Sequence, residues 1–143
     1  GNSTAVEYLL DAKADINCTD RWQGTPLRDA VTHGHMSIAK LLRSRGGELM
    51  MDDETLASTL CQLARAAKLE TLERYLDAGA DANVVDYDGR TVLHLAAASG
   101  SVQIVDALLA RGAQPRVEDL RGDTPLSLAK RLGHREIVAR LNT

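Results

Sequence analysis

Aromatic side chains are almost missing from this 143-residue chain, which has no Phe, one Trp and three Tyr. Because 44% of its residues are hydrophobic but only 3% are aromatic, its core must be built from aliphatic side chains. A domain of this length buries roughly 68–70% of its unfolded surface. We therefore expect one soluble domain that folds without a metal ion or a disulfide bond.

Long apolar runs and cysteine motifs are also absent. No stretch approaches the ~18 uninterrupted apolar residues of a membrane span, and no basic segment followed by an apolar one opens the chain. Cys18 and Cys61 form no CxxC pair, so neither a disulfide framework nor a zinc site is predicted. We expect an intracellular, cytoplasmic protein that does not insert into membranes.

Catalytic motifs are missing as well. The sequence has no Gly-x-Ser-x-Gly, phosphate-binding loop, His-Glu-x-x-His or dinucleotide-binding glycine motif. Asp86-x-Asp88-Gly89 begins like a calcium loop, but the remaining ligands are not present. We therefore predict no enzyme activity, no cofactor and no metal site.

Positive charge is in slight deficit, and the net charge is −3. Nucleic-acid-binding domains usually carry a clear positive excess, so no nucleic-acid partner is expected. The charge is uneven, however, with −6 over residues 1–109 and +3 over residues 110–143. Six of the seven cations of this basic C-terminal segment either attract an acidic partner or form a solvated cap: Arg116, Arg121, Lys130, Arg131, Arg135 and Arg140.

What the sequence does contain is an internal repeat of 33 residues. Two of the columns that define it are Thr25, Ser58, Thr91, Thr124 and Leu27, Leu60, Leu93, Leu126. The columns divide the chain into a partial unit at 1–19, units at 20–52, 53–85 and 86–118, and a C-terminal cap at 119–143. The first unit contains only the second half of the pattern, so we expect the native chain to continue upstream.

The unit at 86–118 shows the local structure most clearly. Its Asp86 to Arg90 segment is a turn signal, and Thr91 stands at an N-cap position before an apolar run. After the break at Ser99-Gly100, Ile104 to Leu109 has the spacing of a second amphipathic helix. Each unit is therefore predicted to be turn, helix, turn, helix, and only a stack of units buries a continuous core.

This unit resembles an ankyrin repeat. The residues that match the family motif are Asp86, Gly89, Thr91, Leu93, His94, Ala96, Ala97, Gly100 and the preceding Gly79-Ala80-Asp81-Ala82-Asn83. The resemblance covers the whole chain and implies an all-α solenoid of about five helix-turn-helix units with hairpin-like turns. The first of these units is truncated. The phrases around Trp22 and Tyr87 are also similar to ankyrin regions of plant voltage-gated potassium channels, glutaminases, ankyrin-containing kinases and an asparaginase-type lysophospholipase.

Two units depart from the family pattern. Gln23 stands where the turn glycine belongs, so we expect a distorted tip in the second unit. The third unit has lost its Thr-Pro start, and Leu56 replaces the turn glycine. We expect an irregular approach there, with a first helix that lacks pre-organisation and residues 47–58 that open first among the internal segments.

The resemblance implies a scaffold that binds a protein through its hairpin tips and the concave face of its first helices. The residues mapped to that surface are Arg21, Trp22, Thr32, His33, Arg65, Tyr87, Asp88, Arg90, Ser99, Arg121, Asp123 and Arg131. Neighbouring positions complete it: Gly24, Glu54, Thr55, Ala66, Ala98, Leu120 and Leu132. Trp22 and Tyr87 stand out because Trp and Tyr often dominate interface energy. Tyr87 is expected to be exposed, whereas Trp22 either is exposed or packs against its neighbouring hairpin.

The alternative function is a structural or assembly module within a channel or a multidomain enzyme. In that case we expect self-association at the N-terminal end, where Val6, Tyr8, Leu9 and Leu10 lack a covering helix.

The histidines and cysteines have structural interpretations. His35, His94 and His134 recur at fixed places in the repeat and are predicted to have structural roles, whereas His33 occupies a variable position. The resemblance implies that the His94 ring bonds the backbone of a turn. Cys18 and Cys61 are interpreted as small apolar fillers.

Overall fold

Nine α-helices and no β-strands form the chain, and a computed structural model describes all of residues 1–143. The helices are α1 Ser3–Asp11, α2 Pro26–Thr32, α3 Met36–Ser44, α4 Asp53–Arg65, α5 Leu69–Asp77, α6 Val92–Ser99, α7 Val102–Leu109, α8 Pro125–Leu132 and α9 Arg135–Leu141. The all-α fold class predicted from the repeat is confirmed. No helix combines the length and the apolarity that crossing a bilayer requires.

The chain divides into two compact units, which differ from the repeat units defined by the sequence. Unit 1 contains Gly1–Met51 and Arg74–Ala80, and within it α3 contacts both α1 and α2. Unit 2 contains Asp52–Glu73 and Asp81–Thr143, and within it α6 contacts α4, α7 and α8, while α9 contacts α7 and α8.

The core is aliphatic, as the composition predicts. Its largest fully buried side chains include Leu27, Leu60, Leu72, Leu93, Ile104, Leu108 and Ile137. In unit 2, Ala96, Ala97 and Ala129 have no exposed surface. Small side chains at these positions let α6 and α8 pack closely, so the larger side chains fill the remaining space at the density of a protein interior.

Threonines begin three of the helices. Thr25 accepts a hydrogen bond from the Arg28 N–H at 3.3 Å, and Thr124 accepts one from the Ser127 N–H at 3.1 Å. Pro26 and Pro125 follow these caps, where the missing N–H costs no intrahelical bond. The N-cap predicted for Thr91 is also confirmed at the start of α6.

Three turn tips share one hydrogen-bond pattern, in which an aspartate Oδ1 accepts from the backbone N–H groups two and four residues later. The aspartates are Asp20, Asp86 and Asp119, with N to Oδ1 distances of 2.7 to 2.9 Å. The residue three positions after each aspartate has a positive φ: Gln23 at 59°, Gly89 at 74° and Gly122 at 79°. Gln23 therefore adopts the glycine conformation. The distortion expected at the tip of the repeat at 20–52 is wrong.

The repeat at 53–85 begins with α4, which is longer than the first helices of the other repeats and takes the place of a turn tip. The Asp52 carboxylate accepts the Thr55 N–H at 2.7 Å and begins α4 five residues before Ser58. Glu54 and Thr55, assigned to a tip from the sequence, lie in the first turn of α4. The sequence did not predict the side-chain cap of Asp52, and the expected lack of pre-organisation and early opening of residues 47–58 stay predictions.

Candidate protein-binding surface

Trp22 lies at the tip in unit 1 and is 66% exposed. Of the two interpretations of Trp22, the exposed one is therefore confirmed. The Arg21 guanidinium carbon lies 3.8 Å from the ring centroid, in cation–π contact. Arg28 Nη2 donates to the Trp22 carbonyl oxygen at 3.1 Å and fixes the backbone of this tip.

Tyr87 and Leu120 occupy the same column at two tips of unit 2 and are 83% and 79% exposed. The expected exposure of Tyr87 is confirmed. The Leu120 N–H donates to the Asp88 carbonyl oxygen at 3.0 Å, so backbone pairing holds the two tips together. Two large apolar side chains are thus presented to solvent on connected turns.

A groove of about 260 Å³ in unit 2 lies between α4 and the tip that carries Tyr87. Its lining residues are Glu54, Ser58, Cys61, Gln62, Arg65, Asp86, Tyr87 and Asp88. The groove brings together four of the residues mapped to the binding surface, Glu54, Arg65, Tyr87 and Asp88. Ser58, Gln62 and Asp86 were not mapped to this surface, although the spacing of Ser58, Gln62 and Arg65 places them on one face of a helix.

Arg90 is a link between tips rather than a free side chain. Its Nε donates to Asp119 Oδ2 at 3.3 Å, and its Nη1 lies 3.6 Å from Asp88 Oδ2. Burial alone would raise the pKa of Asp119, but hydrogen bonds from the Asp123 and Arg121 N–H groups and from Arg90 lower it below its usual range. Arg90 is therefore engaged within the chain, although the sequence places it among the partner-binding residues.

Arg131 and Asp123, both mapped to the binding surface, bind each other. Arg131 Nη1 and Nη2 donate to the two Asp123 carboxylate oxygens at 2.9 and 2.8 Å. The hydrogen bonds from Arg131 lower the pKa of Asp123. In the basic C-terminal segment, Arg140 is likewise paired with Asp106 and Glu136. Carboxylates within the chain therefore offset two of the six cations predicted to meet an acidic partner, and that role stays a prediction for the other four.

Two other mapped residues, Thr32 and Ser99, bind backbone carbonyl groups of their own helices. Thr32 Oγ1 donates to the Arg28 carbonyl oxygen at 2.8 Å and lies 2.9 Å from Tyr75 Oη. The Ser99 hydroxyl donates to the Ala96 carbonyl oxygen at 3.1 Å. Arg121 is exposed.

The histidines have different environments. His94 is buried between Thr91 and Asp123, and burial lowers its pKa. His134 Nε2 lies 3.2 Å from the Ala98 carbonyl oxygen, so structural roles are confirmed for both residues. His35 is instead exposed and stacks on His33, with ring centroids 6.5 Å apart.

The two cysteines also differ. Cys61 is buried, as expected of a filler, and burial raises the pKa of its thiol to about 11. Cys18 is exposed, so its interpretation as a filler is wrong. No group of three or more His, Cys, Asp or Glu side chains is arranged to hold a metal ion.

Helix α1 presents an uncovered apolar face in unit 1. Tyr8 and Leu9 are 75% and 55% exposed, and none of the residues of α1 is buried. A second feature of unit 1 is a cavity of about 390 Å³, which the sequence did not predict. It lies between α3 and the end of α5, and its lining residues are Met36, Ala39, Lys40, Arg43, Ser44, Asp77 and Ala78.

Comparisons with known proteins identify the repeat. Residues 60–142 match the family model described as ankyrin repeats (3 copies), and residues 1–43 match the one described as ankyrin repeats (many copies).

Three curated relatives illustrate how the repeat occurs in larger proteins. The chain is 38% identical to an L-asparaginase of Dirofilaria immitis over 73% of this chain and 18% of that protein. It is 38% identical to human neurogenic locus notch homolog protein 1, over 70% of this chain and 4% of that protein. It is 34% identical to mouse ankyrin repeat and SOCS box protein 6, over 73% of this chain and 26% of that protein. The chain thus spans about a quarter or less of each relative.

Proposed function

Because this chain belongs to the ankyrin-repeat family, we propose that it is a non-catalytic scaffold that binds a partner protein through its turn tips and the exposed face of its first helices. Ankyrin repeats are generally protein–protein interaction modules. The partner is a protein inside the cell and not a nucleic acid, and binding needs no cofactor. The match to L-asparaginase spans 18% of that protein and supports the repeat architecture without supporting a reaction.

The observation that carries this proposal is the exposure of large side chains on fixed turns. Trp22, Tyr87 and Leu120 are each at least 66% exposed, and an aspartate carboxylate holds the turn beneath each of them. A side chain presented on a pre-organised backbone loses little conformational entropy on binding. Trp and Tyr anchors of this kind commonly supply most of the binding energy of an interface.

Comparing matched tyrosine variants tests the proposal. Proteins captured from an extract of the source cells by the wild-type chain are compared with those captured by Tyr87→Ala and by Tyr8→Ala. A captured partner is then purified and titrated by calorimetry. We expect Trp22→Ala or Tyr87→Ala to weaken its binding at least tenfold, about 1.4 kcal/mol, and Tyr8→Ala to leave it within twofold. Equal affinity for all variants would remove the tips from the interface.

The second candidate function is assembly through α1, which the uncovered face of Tyr8 and Leu9 favours. Large exposed apolar patches are uncommon on monomers and often mark interfaces. Light scattering over a range of protein concentrations tests it. A mass that rises with concentration for the wild type, but not for Tyr8→Ser/Leu9→Ser, supports self-association. A constant monomer mass for both proteins rejects it.

A further inference from the structure

The groove of unit 2 carries opposite charges at its two ends. Glu54 lies in the first turn of α4 and Arg65 is its last residue, and both line the groove. At a rise of 1.5 Å per residue, these positions are roughly 16 Å apart along the helix axis. Both side chains are exposed, and neither forms an ion pair within the chain.

The other charged groups of the groove are already engaged. Asp86 Oδ1 accepts the N–H groups of Asp88 and Arg90, both at 2.9 Å, and Asp88 lies within 3.6 Å of the Arg90 guanidinium. Glu54 and Arg65 are therefore the two charged side chains of the groove that form no hydrogen bond or ion pair within the chain.

We propose that this groove binds an extended segment of a partner protein that places a lysine or arginine against Glu54 and an acidic side chain against Arg65. This inference rests on the proposed protein-binding function and specifies the chemistry of the partner. An extended chain rises about 3.3 Å per residue, so the two charged positions are about five residues apart. Tyr87, at the rim of the groove, offers an exposed ring that a cation or an apolar side chain contacts.

Segments with one sign of charge fit this groove less well. A wholly acidic segment meets Glu54, and a wholly basic one meets Arg65, and like charges brought together across an interface weaken binding. A segment with both charges in the correct order satisfies both ends. The carboxylates of Asp86 and Asp88 add negative charge, so the groove favours basic over acidic segments, and a segment with both charges in this order over either.

Peptide selection followed by titration tests the inference. A displayed library of random 12-residue peptides is selected against the wild-type chain, and enriched sequences are synthesised with a fluorescent label. We expect enriched peptides to carry Lys or Arg and Asp or Glu four to six positions apart. Their affinity, measured by fluorescence anisotropy, should fall at least tenfold for Glu54→Lys and by a smaller factor for Glu54→Gln.

The matched control is Glu118→Lys, which makes the same charge change at an exposed residue of unit 2 outside the groove. It should leave the affinity within twofold, and circular dichroism should show the same helix content in every variant. Enriched peptides without paired charges, equal weakening by Glu54→Lys and Glu118→Lys, or selection that yields no binder would overturn the inference. The proposed function depends instead on the response of a captured protein to the Trp22 and Tyr87 variants, so the two failures are distinguishable.

Discussion

His94 Nε2 donates a hydrogen bond to the Asp123 carbonyl oxygen across 3.1 Å and joins α6 to the turn that precedes α8. The Thr91 N–H donates to Nδ1 of the same ring at 3.1 Å. Because the backbone N–H can only donate, Nδ1 accepts and Nε2 carries the proton. A second proton on this ring would convert Nδ1 to a donor and break the bond to Thr91.

We therefore expect stability to decrease in mild acid through His94. Burial lowers its pKa below the usual 6.5, so the unfolded chain takes up this proton at a higher pH than the folded chain. The free energy of unfolding should be constant above about pH 7 and fall below about pH 6.5, by at most about 1.4 kcal/mol per pH unit. Urea titrations between pH 8 and pH 5 measure it. His33→Gln should keep this slope, and a slope that persists in His94→Gln would assign it to another group.

Gln23→Gly should stabilise the chain by about 1 kcal/mol, because a residue with a Cβ atom is strained at positive φ. The reverse change is Gly122→Ala, at a position where no atom lies within 4 Å of an added Cβ. This control should destabilise the chain by a similar amount through backbone strain alone. Urea midpoints of the two variants measure both effects, and unchanged midpoints would show that Gln23 is not strained.

Asp52→Ala should destabilise α4 by about 1 kcal/mol, because it removes the N-cap. Hydrogen exchange resolves the effect along the chain: residues 53–58 should exchange like the rest of α4 in the wild type and faster in the variant. The segment at 47–52 should open first among the internal segments. Fast exchange at 53–58 in the wild type would instead support the weak first helix inferred from the sequence.

The two thiols should react at very different rates. Cys18 is exposed, so it should react with a disulfide reagent at pH 8 in a fast phase that begins on mixing. Cys61 is buried with a pKa of about 11, so it should react only when the chain unfolds. Absorbance of the released thiolate counts the reactive thiols. Two fast thiols in the native protein would contradict the packing around Cys61, and Cys18→Ser should remove the fast phase.

The repeat allowed much of the fold to be predicted from the sequence. Thr91 was correctly placed at a helix start, and Thr25 and Thr124 in the same repeat column also begin helices, because a side-chain cap is a local interaction encoded by a few adjacent residues. The turns were predictable for the same reason, since Asp86 and Asp119 bond N–H groups only two and four residues away.

The errors arose where more than one residue could satisfy the same geometry. Gln23 adopts a conformation that glycine prefers, and Asp52 caps α4 in a repeat that lacks the Thr-Pro start. The ion pair between Arg131 and Asp123 could not be predicted from the sequence, because the contact depends on side-chain rotamers. Motif position identified these two residues as surface residues but did not show that each satisfies the other.

In the three aspartate turns, the residue that holds the backbone differs from the residue whose side chain is exposed to solvent. Asp20, Asp86 and Asp119 hold their turns through backbone N–H groups, so the side chain of the following residue takes no part in that bonding. The residues found there are Arg21, Tyr87 and Leu120, which share neither size nor charge. Mutation can therefore replace one of these side chains without unfolding its turn, so the surface at the tips can change while the backbone framework stays the same.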